Sequence, residues 1–336
     1  MSLTRVTSNA RVADPELSVR GDCIPTMERA GATSVTLSGP QRAAVEGHRS
    51  GPVLVIGPPG SGKTTVVASA AALELADRAA DGPQPLVLTF ARRSASDLRN
   101  RVARAMNRTV SPPWVTTMHA FCLWLLRLAA EPGQPEPRLL TAPEQEFRVR
   151  ELLGGRGAAV WPHDVQQAIG TRAFARQVRG AIARVRQLGL DPEDVVAFGA
   201  EAGRPEWVSA GHFFAEYLDV LDHEGSLDYA ELVHRARIAL TEPALIDTVR
   251  ARVSRVIVDE YGELDPAQIG LLRALLPPGG AILAVGDPDQ VVFRFRGAHP
   301  RGLAEFPATF PTASGEPAPV LVLPGSYRAC PGVAAA

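Results

Sequence analysis

The sequence predicts an α/β fold: a parallel sheet covered on both faces by helices and interrupted by an all-helical insertion. Three observations lead there. Short apolar runs alternate with helix-length segments early in the chain. A long middle stretch has helical period and no convincing strands. Apolar runs then return before the end. The 336 residues are enough for two domains of ordinary size.

Residues 1–34 are polar, mixed in charge and without period, so a flexible tail is expected. The first α/β part is expected over 35–130. Ser38 is placed to cap a short helix through Gln41 and Val45. Pro52 to Ile56 is an apolar run ending at Gly57, the pattern of a strand buried on both faces. A helix rich in Ala and Val should follow from Thr64 to about Ala80. Pro85 to Phe90 reads as a second strand, followed by a basic helix from Ser94 to Met106. Val115 to Thr117 is a third strand, with a helix from Ala120 to Leu128.

From 131 to 250 the helical insertion is expected. There Phe174, Val178, Ile182 and Val185 share one helical face, and Arg172, Arg176, Arg179 and Arg186 share another. The second α/β part spans 251–325, with strands at Arg255–Val258, Ala281–Val285 and Val320–Leu323.

Hydrophobic residues are 46% of the chain and charged residues 21%, which fits a globular protein and excludes a disordered one. The formal net charge of −1 excludes a polycation, so contact with nucleic acid must come from local patches. Cys23, Cys122 and Cys330 are far apart, which argues against a zinc cluster or a disulfide framework and suits a reducing cytoplasm. No apolar run reaches the roughly 18 residues of a membrane span. The first thirty residues lack the apolar core of a secretory signal.

Of the 35 basic residues, one is a lysine, Lys63, and it falls in a motif. Gly57-Pro58-Pro59-Gly60-Ser61-Gly62-Lys63-Thr64 fits GxxxxGK[ST] between an apolar strand and a helix. Such a loop closes backbone N–H groups around phosphates at a helix N-terminus. Lys63 would reach the β- and γ-phosphates, Thr64 would ligate Mg²⁺, and Thr65 would complete the ATP-binding segment. Val256-Ile257-Val258-Asp259-Glu260 is an apolar strand ending in two acids. Asp259 is placed to hold Mg²⁺ and Glu260 to polarise the attacking water. Together they define a RecA-like P-loop NTPase domain using a nucleoside triphosphate and Mg²⁺.

Basic residues cluster twice. Six arginines, among them Arg92, Arg93, Arg99 and Arg101, and one acid lie between Ala91 and Arg108. Five arginines and no acid lie between Thr171 and Arg186. Each reads as a track for DNA phosphates or as a solvated helix face. Phe293 and Phe295, bracketed by Arg294 and Arg296, read as a base-stacking segment or as core.

Further segments, in order, resemble the superfamily I DNA helicases of the UvrD/Rep/PcrA type. Leu37 to Val45 resembles the Q motif, Val87 to Arg99 motif Ia, and Thr116-Thr117-Met118-His119-Ala120-Phe121 motif Ib. Asp259 to Gln268 is similar to motif II, Val285 to Ala298 to motif III, and Ser326-Tyr327-Arg328 to motif IV. Ser226 to Leu232 resembles the LDF-xx-L stretch before motif II. The resemblance implies that Gln41 reads adenine, Gln290 senses the γ-phosphate, Tyr327 stacks on the base and Arg328 acts as an arginine finger. It implies DNA contacts at Arg92, Arg93, His119, Phe293, Phe295 and Arg296, and 3′-to-5′ helicase action on single-stranded or duplex DNA in repair or recombination.

Gly262 stands where the family has Gln, and Glu263-Leu264 where it has Asp-Thr. These changes, with Leu139 to Gln145, resemble the RecB-like and AdnA/AdnB helicase–nuclease subset, and imply a second subunit as partner. Residues 326–336 read as the start of a second RecA-like domain. Two functions follow: the N-terminal part of a helicase motor, or a catalytically weak, nucleotide-gated DNA-binding subunit.

Overall fold

The computed structural model describes residues 36–78, 82–106, 114–155, 161–299 and 301–328. The expected tail at 1–34 lies outside them. In chain order the elements begin with α1 (Gly39–Gly47), β1 (Val53–Ile56), α2 (Lys63–Ala76), β2 (Gln84–Thr89) and α3 (Arg92–Met106). They continue with β3 (Val115–Thr117), α4 (Met118–Ala129), β4 (Arg138–Leu139), α5 (Ala142–Gly155), α6 (His163–Gln166) and α7 (Arg172–Gln187). Next come α8 (Pro192–Glu201), α9 (Pro205–His223), β5 (Ser226–Leu227), α10 (Tyr229–Ala239) and α11 (Pro243–Arg252). The last are β6 (Val253–Val258), α12 (Pro266–Leu275), β7 (Ile282–Gly286), α13 (Gly302–Thr309) and β8 (Val320–Val322).

Six strands pair in the order β3-β2-β6-β7-β1-β8, all parallel. The strand residues alternate between two cores. Leu54, Leu86, Leu88, Val256, Val258 and Ile282 face one side, with Phe121, Leu232, Leu271 and Phe306 from its helices. Val53, Val55, Val87, Ile257 and Leu283 face the other, with Val66, Val67, Leu98 and Val102 from α2 and α3. Both faces are therefore apolar, which is why the strands read as continuous hydrophobic runs.

The middle region departs from the expectation in two ways. It is not all-helical: β4 and β5 form a two-stranded parallel ladder. Two residues are too few to show a strand period in sequence. Its separate core runs from Leu140 to Leu221, including Val149, Trp161, Val178, Ile182, Phe214 and Tyr217. Helices α10 and α11 begin within 131–250, yet pack on the sheet core through Leu232, Val233, Ala236 and Val249.

Buried polar groups join the two parts. The Asp228 carboxylate caps α10 by accepting from Ala230 and Glu231 N–H, each at 2.9 Å. Its other oxygen accepts from Gln145 Nε2 at 2.8 Å and Tyr217 Oη at 3.0 Å. Arg186 is buried, not on a basic face: its Nε donates to Glu231 at 2.7 Å, and its guanidinium lies 4.9 Å over the Phe214 ring. Removing one partner of such a pair costs about 3–5 kcal/mol. The Ser226–Leu232 stretch thus ties the insertion to the sheet.

Candidate active site

The site forms at the C-terminal ends of three adjacent strands. Ile56 pairs with Gly286 and Val258 with Ala284. That register brings the loop after β1, Asp287 after β7 and Asp259 after β6 to the same edge of the sheet.

In the loop, Gly60 and Gly62 have φ of 79° and 90°. A Cβ on Gly62 would lie 2.3 Å from Gln41 Nε2, so this position excludes other residues by handedness and by space. Gln41 itself is engaged with protein: its Oε1 accepts from Ser38 N–H and its Nε2 donates to Ser61 O, both at 3.0 Å. It pins α1 to the loop. One amide N–H and one lone pair remain for a base.

Lys63 Nζ donates to the carbonyls of Gly57 and, at 3.0 Å, Pro58. It also lies 3.6 Å from Asp287 Oδ2. Asp287 is buried, and that oxygen has no hydrogen-bond partner, while Oδ1 accepts from Asp289 N–H at 3.1 Å. The sequence alone gives Asp287 no role; its position directly after an apolar strand, as for Asp259, is the available signal.

Asp259 is buried, and burial followed by the charge of Glu260 pushes its carboxyl up to about 6. Lys63 and Arg101 pull the other way. Glu260 has φ 58°, the single non-glycine positive φ among the described residues, a strained backbone of the kind found at sites. The residue is exposed, yet lost solvation and then the charge of Glu263 raise its pKa.

A cavity of about 660 Å³ opens over Gly60, Gly62, Lys63, Thr64 and Thr65. Tyr327 and Arg328 close one side, held by Tyr327 N–H donating to Gly60 O at 2.9 Å. Arg101 lines it as well, and so belongs here and not with the DNA arginines. Only the packing of α3 along α2 reveals that. Gln290 is exposed, one turn past Asp287 and outside this lining. Among the described residues no group of three or more His, Cys, Asp or Glu is arranged to hold a metal ion. Mg²⁺ needs none, since it is held by one or two protein oxygens with phosphates and water. Thr64, Asp259 and the orphaned oxygen of Asp287 fit that need.

A second face begins next to the first. Phe90 stacks on Phe293, centroids 4.4 Å apart at 18°. Phe295 lies 6.0 Å from Phe293 and is 77% exposed. Arg92 and Arg93 start α3 on the surface, and neither makes an ion pair among the described residues. The Arg296 side chain lies outside the described residues.

Other basic candidates are used elsewhere. Arg99 donates to Val115 O at 3.3 and 3.2 Å. Arg172 and Arg176 pair with Glu146, and Arg184 donates to Gly297 O at 3.1 Å. The 171–186 stretch is therefore mostly an internal ion-pair helix. Burial lowers the pKa of His119 to about 4, and its ring packs edge-on against Tyr229 at 5.1 Å. It is neutral at pH 7 and brings no charge to a phosphate.

Glu263, also without a role in the sequence reading, is buried in the turn after Glu260. Its two carboxylate oxygens accept from Val292 and Phe293 N–H, each at 2.8 Å. At Gly262 a Cβ would meet Leu303 Cδ1 at 3.1 Å and Val291 Cγ2 at 3.2 Å, so a side chain here would press on both neighbours.

Fold and site define a phosphate-loop α/β protein with an aromatic and arginine face beside its nucleotide cavity. The family model for the UvrD/REP helicase N-terminal domain matches residues 37–311, and the chain belongs to that family. It is 27% identical over 312 residues to the ATP-dependent DNA helicase UvrD1 of Mycobacterium leprae, covering 88% of this chain and 38% of that protein. It is 26% identical over 283 residues to DNA helicase II of Escherichia coli, covering 83% and 37%. Against the ATP-dependent DNA helicase PcrA of Bacillus subtilis it is 25% identical over 282 residues, covering 83% and 36%. The chain thus spans under two fifths of the length of these relatives. Among the described residues, no helix is long and apolar enough to cross a membrane.

Proposed function

We propose that the chain is the ATP- and DNA-binding part of an ATP-dependent DNA helicase or translocase. It would move 3′-to-5′ in the cytoplasm and serve repair or recombination. One observation carries the reading: a single loop begins at Asp287, which faces Lys63, and reaches Phe293 and Phe295 beside Phe90 and Arg92. Phosphate chemistry and base stacking thereby share one segment.

In this reading the loop N–H groups and Lys63 hold the phosphates of ATP, with Arg101 adding charge nearby. Thr64 and Asp259 would hold Mg²⁺, which neutralises phosphate charge when bound. Glu260 orients the attacking water and accepts its proton. Gln290 senses the γ-phosphate, Tyr327 stacks on adenine, and Arg328 directs its guanidinium at the phosphates. Phe295 stacks on bases while Arg92, Arg93 and Arg296 contact backbone phosphates.

The crowding at Gly262 favours a second reading, a nucleotide-gated DNA-binding subunit of a helicase–nuclease pair. ATPase assays with and without single-stranded DNA distinguish the two. DNA-stimulated hydrolysis that falls on the order of 10²-fold or more in Lys63→Ala and in Glu260→Gln supports the motor. Activity surviving both changes overturns hydrolysis at this site. Nucleotide-dependent DNA binding without hydrolysis selects the second reading.

A further inference from the structure

We infer that Glu263 is the positioning residue that carries the state of the nucleotide cavity to the DNA-stacking loop. The inference rests on the reading of the site as a nucleotide-responsive DNA-binding protein. It follows from what Glu263 joins.

At one end, Glu263 belongs to the turn that presents Glu260: its N–H donates to Glu260 O at 2.9 Å. That turn is anchored. Tyr261 is fully buried and packs edge-on against Phe306 at 5.1 Å, and Leu264 O accepts from His299 N–H at 2.8 Å. At the other end, both carboxylate oxygens are taken by consecutive backbone N–H groups, Val292 and Phe293. These lie between Gln290, which the phosphates would engage, and Phe295, which bases would engage. Phe293 then stacks on Phe90, two residues before Arg92.

The linkage is stiff because its geometry is bidentate: a carboxylate held by two parallel N–H groups cannot rotate without losing one. Among the described residues Glu263 makes no ion pair, so those two N–H groups are what balance its buried charge. A displacement of Glu260 and its turn must therefore move Val292 and Phe293. Gly262 cannot share this work. It has no side chain, and the space beside it is filled by Leu303 and Val291.

The test is the affinity of residues 1–336 for a fluorescent poly-dT oligonucleotide, with and without Mg²⁺ and a non-hydrolysable ATP analogue. Analogue affinity is measured in parallel. Coupled sites typically differ about 5–150-fold in affinity between the two states. The expected result is a ratio in that range for the unaltered chain and near 1 for Glu263→Gln, with analogue affinity unchanged within about 2-fold. Gln retains one acceptor but turns its amide N–H groups toward a donor. Val292→Pro removes one N–H while leaving Glu263 intact, at an exposed position whose φ of −86° must shift by about 20° to suit the ring. It should cut the ratio as well, and it serves if Glu263→Gln fails to fold. A ratio that persists in a folded Glu263→Gln or in Val292→Pro overturns the inference alone. An unaltered chain that binds no DNA, or shows no nucleotide effect on it, overturns the functional reading and this inference together.

Discussion

Position 63 carries the one lysine among 35 basic residues, and the loop shows what an arginine would lack. Two ammonium hydrogens are used on the carbonyls of Gly57 and Pro58, leaving the third toward Asp287 and the cavity. A compact, rotatable ammonium can divide its hydrogens this way, whereas a planar guanidinium fixes them in a wide fork. Lys63→Arg should therefore lose on the order of 10²-fold or more in ATP turnover while its melting temperature stays within about 3 °C. Parallel ATPase assays and thermal unfolding check this; near-normal turnover would mean that charge alone suffices. The lysine was legible because the motif is contiguous and its neighbours are a strand and a helix. Asp287 and Glu263 carry no role in the sequence and Arg101 groups there with the DNA arginines, because their places depend on which strands pair and which helices touch. For His119 the motif match carries no measure of burial, which is what lowers its pKa and leaves a neutral ring there.

Two helices of similar composition show how little charge counting says about an element. Both α3 and α7 are arginine-rich. In α7 the insertion supplies Glu146, Asp191 and, through α10, Glu231, so Arg172, Arg176 and Arg186 are bound within the protein. In α3 neither Arg92 nor Arg93 makes an ion pair among the described residues, and both face water next to Phe90. Arg92→Ala and Arg93→Ala should each weaken single-stranded DNA binding and lower the slope of log K against log salt by about 1. Arg176→Ala should leave both unchanged. Fluorescence titrations over a range of salt decide, and a slope that falls instead in Arg176→Ala would return α7 to the DNA track. The strands were legible from their apolar runs, buried on both faces. The β4–β5 ladder was hidden by its length, and α10 and α11 by the fact that helical period does not say which core a helix joins.

At the scale of the whole molecule, two buried aspartates link folding to pH. Burial is the main cause for both: Asp259 is pushed up to about 6 and Asp265 to about 7, from an ordinary value of 3.8. Asp265 caps α12, its Oδ1 accepting Gln268 N–H at 2.8 Å. In the unfolded chain each carboxyl would lose its proton near 4, while the folded chain keeps it to about 6 or 7. The folded state therefore binds more protons across that interval, and these groups make unfolding easier as pH rises through it. Their favourable share is complete at or below about pH 4 and is gone above about pH 7. Ion-paired carboxylates elsewhere run the opposite way, so the clean measurement is a difference. Asn keeps the capping oxygen of Asp265 and never ionises. Asp265→Asn should lie within about 1 kcal/mol of the unaltered chain near pH 4.5 and exceed it by up to about 4 kcal/mol at pH 8, with the gain growing between. Asp259→Asn should show a smaller gain, saturating about one pH unit earlier, together with loss of Mg²⁺-dependent ATP binding. Urea unfolding of the three chains from pH 4.5 to 8 tests both curves. A stability difference that stays flat with pH would mean that neither carboxyl is protonated in the folded chain. Asp259 would then be as ready for Mg²⁺ at pH 5 as at pH 8, whereas the raised value requires metal-dependent nucleotide binding to weaken below pH 6.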